Sequence, residues 1–133
     1  MILAPGNVDF IIGGPIEQAR EAYPGTRYHM HNAALTAVRT QPHHLSRIAE
    51  HIADLTRAAT GPLQVFVPLG GFSSHDSAAG HLYEPDFPRP FANRLAELLP
   101  DDVPLEVLDV HFNDPAFADA IVAATRALIG ARA

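Results

Sequence analysis

Leu63-Gln64-Val65-Phe66-Val67-Pro68-Leu69-Gly70-Gly71 is the stretch whose reading decides the fold. An apolar run with valines and a phenylalanine at its centre, closed by paired glycines, is too short for a helix and reads as a strand buried on both faces. Such strands belong to parallel sheets covered by helices. The flanks agree. Upstream, Leu45, Ile48, Ala49, Ile52, Leu55 and Ala59 recur at helical spacing and predict a helix from about Gln41 to Ala59, with Thr40 as N-cap and Pro42 in the first turn. Downstream, Phe91, Leu95, Leu98 and Leu99 predict a helix from Pro90 to Leu99, and Leu105 to His111 reads as a further strand. Asp114-Pro115 then opens a last helix with Phe117, Ile121, Ala124 and Leu128 on its inner face.

Met1 to Pro5 reads as another buried strand that Val8 to Ile12 extends or resumes, Gly13 to Pro24 as mostly loop with one helical turn at Glu17 to Ala22, the histidine-bearing residues before the long helix as loop, and Ser77 to Pro90 as an ordered surface excursion. Alternating strands and helices imply right-handed crossovers. The expected fold is therefore α/β, a three-layer Rossmann-like domain spanning residues 1–133, with a small, mainly parallel sheet flanked by helices. A strand starting at residue 2 leaves sheet edges open. It predicts that a homo-oligomer, or a complementary subunit, supplies neighbours.

Composition narrows the chemistry. The 133 residues are 47% apolar and 18% charged, and mean hydropathy is +0.04, which suits one globular core. No apolar run is long enough to span a bilayer and no secretory leader opens the chain, so no membrane association and a cytoplasmic location are expected. With no cysteine, thiolate metal sites and cysteine catalysis are excluded. All nine basic residues are arginine, which excludes Schiff-base lysine chemistry and a phosphate-loop lysine. A net charge of −6 without a basic cluster speaks against nucleic acid as a partner.

In parallel sheets ligands bind beyond the carboxyl ends of the strands, and the polar residues gather there. Asp9 follows the first strand; Gly70, Gly71, Ser73 and Asp76 follow the central one; Asn113 follows the third; His31, Asn32 and Arg39 precede the long helix. Arg39 and the glycine-turn amides are expected to hold an anion, with Asp9, Asn32, Ser73 and Asn113 as further ligand contacts and His31 or Asp76 handling protons. The structural alternative for Arg39 is an ion pair with Asp9 or Asp114. Ser73 or Ser74 with His75 or His111 and Asp76 supplies the residue types of a hydrolytic triad, without the strained GxSxG turn. His29 and His31 alternate as metal ligands do, and a carboxylate could complete such a site. His51 and His81 read as surface residues.

Several segments, in order, resemble one known family. Pro5-Gly6-Asn7-Val8-Asp9, Tyr28-His29-Met30-His31-Asn32, Arg39-Thr40, Pro68-Leu69-Gly70-Gly71-Phe72-Ser73 and Asn113-Asp114-Pro115-Ala116-Phe117-Ala118 are similar to successive motifs of the Tm-one-like ATP-binding family. That family contains the tomato mosaic virus resistance protein and bacterial relatives. The resemblance covers the latter part of its C-terminal domain. It implies a Rossmann-like fold but not ATP binding, which belongs to the family's N-terminal domain. Ala33 and Gln41-Pro42-His43 depart from the family pattern.

The expectation is a small-molecule-binding α/β domain for a phosphate- or carboxylate-bearing ligand, acting as one subunit of a split enzyme, with no cofactor indicated. Two alternatives stand beside it, a non-catalytic assembly module and a small metal-dependent hydrolase.

Overall fold

The computed structural model describes residues 1–130. The elements run β1 (Ile2–Leu3), β2 (Phe10–Ile12), α1 (Ile16–Ala22), β3 (Tyr28–Asn32), β4 (Leu35–Arg39), α2 (Pro42–Arg57), β5 (Gln64–Pro68), α3 (Pro88–Leu98), β6 (Leu105–Leu108) and α4 (Pro115–Gly130). The expected α/β fold is present. β5 is the central strand of a parallel sheet ordered β1-β5-β6, in register Leu3 to Val65 and Val65 to Leu105.

Side chains alternate across a strand, so β5 serves two layers. Val65 and Val67 join Leu45, Ala49 and Ile52 of α2 and Phe91, Ala92 and Leu95 of α3 in one core cluster. Phe66, fully buried, points to the opposite face, where α4 packs on β1 and β5. Helices on both faces of a sheet give the three layers. Phe66, Phe91 and Phe117 are core, as the periodicity predicts, whereas Leu55 is 49% exposed.

The helical turn expected at Glu17 to Ala22 is present as α1, whereas the residues before the long helix, read as loop, form a hairpin. Residues 16–39 form α1 and most of a second, antiparallel sheet ordered β2-β4-β3, paired Phe10 to Arg39 and Tyr28 to Val38. β3 carries two histidines and an asparagine and is largely solvated, so it lacks the apolar alternation by which strands are recognised. The N-cap of α2 is also displaced by one residue, to Gln41, whose N–H donates to His44 Nδ1 at 3.1 Å. Thr40 instead donates its hydroxyl to the Val8 carbonyl at 2.9 Å, tying β4 to the segment after β1.

The loops beyond the parallel strands are interlocked by backbone bonds: Asn7 N–H to Phe72 O, Gly70 N–H to Val110 O, and Phe112 N–H to Gly71 O. Gly71 has φ +121°, and a Cβ there would lie 1.8 Å from the Asp76 carbonyl oxygen. Only glycine makes this turn. It folds residues 72–76 back toward the antiparallel sheet.

Candidate functional site

Two sheets that share no strand pairing meet at a buried polar cluster. Arg39, the last residue of β4, is 1% exposed, and Asp9 and Asp76 are both fully buried. Arg39 Nη1 lies 3.2 Å from Asp76 Oδ2 and donates to the Asp9 backbone oxygen at 3.2 Å, while Asp9 Oδ2 stands off at 3.9 Å. Asp76 is thus the ionic partner of Arg39; Asp9 engages it mainly through its main chain. Asp114, the other partner the sequence offers, accepts instead from the His111 N–H at 2.8 Å, beside the start of α4.

Asp76 is saturated. Besides Arg39 it accepts the Phe72 N–H on Oδ2 and the Glu84 N–H on Oδ1, each at 3.2 Å. Asp9 differs: Ser73 Oγ donates to its Oδ2 at 2.6 Å, and Oδ1 has no partner among the described residues. Burial pushes the Asp9 carboxyl above the usual carboxylate range, the Ser73 bond and Arg39 opposing the rise and Asp76 adding to it. Two donors of Arg39, Nε and Nη2, are also buried without a partner among the described residues. Its guanidinium carbon lies 5.1 Å from the centre of the Phe87 ring.

The structure brings Asp9, Arg39, Ser73 and Asp76 together, with Gly70 and Gly71 in the adjoining turn. Two of that turn's amides are already used, Gly70 N–H by Val110 and Phe72 N–H by Asp76, so they do not form an open anion cradle. His31 and Asn32 lie at the far end of the β3–β4 hairpin from Arg39 and are exposed. Asn32 Oδ1 accepts the Ala34 and Leu35 N–H groups at 2.9 and 3.0 Å and shapes that turn. Asn113 is exposed, and its N–H donates to His111 Nδ1 at 3.1 Å.

A serine triad does not form. The Ser73 hydroxyl is spent on Asp9, and His111 Nε2 lies 2.9 Å from the Ser73 carbonyl oxygen rather than from its hydroxyl. Among the described residues no group of three His, Asp or Glu side chains is placed to hold a metal ion. What the sequence reading missed is a row of imidazoles. His29 of β3 lies 4.4 Å from His75 and 4.8 Å from His81, ring centre to ring centre. Beside them Arg27 and Glu84 pair at 2.7 Å, so both contacts join the antiparallel sheet to the segment after β5. Two histidines spaced six apart, one in the turn after β5 and one in the excursion that follows, carried no signal without the hairpin opposite.

Among the described residues no helix is long and apolar enough to cross a membrane. Comparison with known proteins matches residues 1–129 to the C-terminal domain of an uncharacterised protein family, UPF0261. Relatives include a UPF0261 protein of Rhizobium meliloti, 31% identical over 91% of this chain, and one of Clostridium tetani, 29% identical over 90%. The ToMV resistance protein Tm-1 of Solanum lycopersicum is 27% identical over 92%. This chain covers only 31%, 30% and 16% of those three proteins. The motif order read from the sequence and the match along nearly the whole chain agree: the chain belongs to the UPF0261 family, in the region of its C-terminal domain.

Proposed function

We propose that this domain binds a small anion, phosphate- or carboxylate-bearing, on the Nε/Nη2 edge of Arg39. The observation that carries the reading is that these two donors are buried and unpartnered while Nη1 is anchored. Nε and Nη2 form one parallel fork of the guanidinium, which matches two oxygens of a carboxylate or phosphate. Leaving them unpaired costs about 1–3 kcal/mol each, which a ligand would recover. Two carboxylates near one arginine would repel an anion if both were charged. Asp9, its carboxyl raised by burial, takes up a proton more readily than an ordinary carboxylate, and its protonated form leaves the Arg39–Asp76 pair neutral. Asp9 is accordingly the group that gives or takes a proton beside the ligand, in place of His31 or Asp76.

The reading is tested by thermal shift of the chain against inorganic phosphate and acetate, with Arg39→Lys as the control. Lysine keeps a cation for Asp76 but lacks the fork. Stabilisation of wild type that Arg39→Lys abolishes supports the site; equal stabilisation of both refutes it. At a hundredfold excess over Kd the gain is about 2.7 kcal/mol.

The assembly reading is favoured by α4. Apart from Asp119 and Arg126 its sixteen residues bear no charge, yet only Phe117 is fully buried, and Val122 and Ile129 are 46% and 66% exposed. A helix with so few charges and so much exposed apolar surface suits the inside of a larger assembly. Its outer face and the free edge of β1 are where a second copy, or a complementary subunit of a split enzyme, would pack.

A further inference from the structure

The first turns of α2 and α3 frame a cleft of about 230 Å³ lined by Pro42, Leu45, Phe87, Pro90, Phe91 and Arg94. Its walls are almost wholly apolar. Arg94 supplies no free charge, since it pairs with Glu50 and Glu97 at 3.1 Å each. Water held in such a cleft has few polar partners, so apolar matter displaces it favourably.

Phe87 belongs to this cleft and to the Arg39 cluster at once. Its ring centre lies 5.1 Å from the Arg39 guanidinium carbon, and the same side chain lines the cleft. It sits at the junction of the surface excursion and α3, half-buried, with its N–H donating to Glu84 O at 3.2 Å. Phe87 packs against the edge of the core cluster formed by Val65, Phe72, Phe91 and Leu95 without being one of its fully buried members, so a turn of its ring disturbs the rim of that cluster and not its centre.

We propose that the cleft and the free edge of Arg39 are two halves of one site, whose ligand is an organic acid: a carboxylate held by the Arg39 fork, and an apolar body of roughly six to eight heavy atoms in the cleft. Phe87 is the partition between them and turns aside as the ligand enters. This rests on the anion reading of Arg39 and deepens it, naming the class of molecule that carries the anion. Recognition then divides. The fork demands the charge, and the cleft selects by length and apolarity, each buried methylene adding about fourfold to affinity.

The test is calorimetric titration of the full chain with acetate, butanoate, hexanoate and octanoate, alongside inorganic phosphate and hexanol. The expected result is affinity rising about fourfold per methylene until the cleft is full, with hexanol far weaker than hexanoate. Ser46, which also lines the cleft and is half-buried, gives a variant that keeps the core: Ser46→Leu narrows the cleft and should flatten the length dependence while acetate and phosphate bind as before. If acetate and phosphate bind but affinity is independent of chain length, the cleft is not part of the site and the anion reading survives. Hexanol binding as tightly as hexanoate separates the cleft from Arg39 and overturns the single site. If no anion binds, phosphate included, the anion reading itself falls and this inference with it.

Discussion

Arg39 Nη1 and Asp76 Oδ2, 3.2 Å apart with both side chains out of solvent, form a buried ion pair that joins the antiparallel sheet to the loop beyond the parallel one. Buried pairs of this kind add little net stability over an apolar replacement, but removing one partner strands the other. Asp76→Ala should therefore destabilise the chain by about 3–5 kcal/mol in urea unfolding, because Arg39 loses its close ionic partner and the Phe72 and Glu84 N–H groups lose their acceptor. Asp76→Asn, which keeps an acceptor oxygen, should lie between the two.

Gly71 and Gly25 both have positive φ, +121° and +76°, yet their surroundings differ. Nothing lies within 4 Å of a Cβ at Gly25, so Gly25→Ala should cost about 1–2 kcal/mol, the price of the left-handed backbone alone. At Gly71 the added carbon meets the Asp76 carbonyl, and the loop carrying Ser73 and Asp76 must move. Gly71→Ala should cost more than about 3 kcal/mol in the same measurement.

His29 gives the protein a pH dependence of defined sign. Desolvation, and then the neighbouring His75, His81 and His31, lower its pKa below the ordinary histidine value. The unfolded chain then binds the proton more readily than the native one, so stability rises with pH through the histidine range and falls as the medium is acidified below about pH 6.5. Urea unfolding between pH 7.5 and 5 should show that loss, and His29→Gln should reduce its slope. An unchanged slope would mean that the imidazole row does not couple to folding. The groups nearest the row are otherwise engaged: Glu84 with Arg27, Asp76 with Arg39.

The exposed apolar face of α4 predicts association. Light scattering at micromolar concentration should give a mass above that of the 14.3 kDa monomer, and Val122→Asp with Ile129→Asp should return it to monomer. Both positions are largely exposed, so the pair should change folding stability by no more than about 1 kcal/mol. An unaltered mass would place the contact elsewhere.

The parallel sheet and its helices were legible because burial on both faces of β5 and the helical spacing of Leu45, Ala49 and Ile52 are written in apolar residues. The antiparallel sheet was not, for the reason that gives it interest. β4 reads Leu-Thr-Ala-Val-Arg, and its buried Thr36 and Arg39 break the apolar pattern of a strand. Proximity to strand ends gathered Asp9, Arg39, Ser73 and Asp76 correctly into one neighbourhood. It could not assign partners, since the choice of Asp76 over Asp114 depends on the fold-back at Gly71. It also placed His31 and Asn32 beside Arg39 because a loop, unlike a hairpin, does not carry its residues to an opposite end.

If the free edge of Arg39 receives an anion, the Arg39 Nε–H resonance reports it directly. A phosphate titration at pH 7 followed by nitrogen–proton NMR should give a saturable shift of the Arg39 Nε–H, with smaller shifts at Ser73 and Phe72. An Arg39 Nε–H that stays fixed throughout, while only exposed arginines respond, would contradict it.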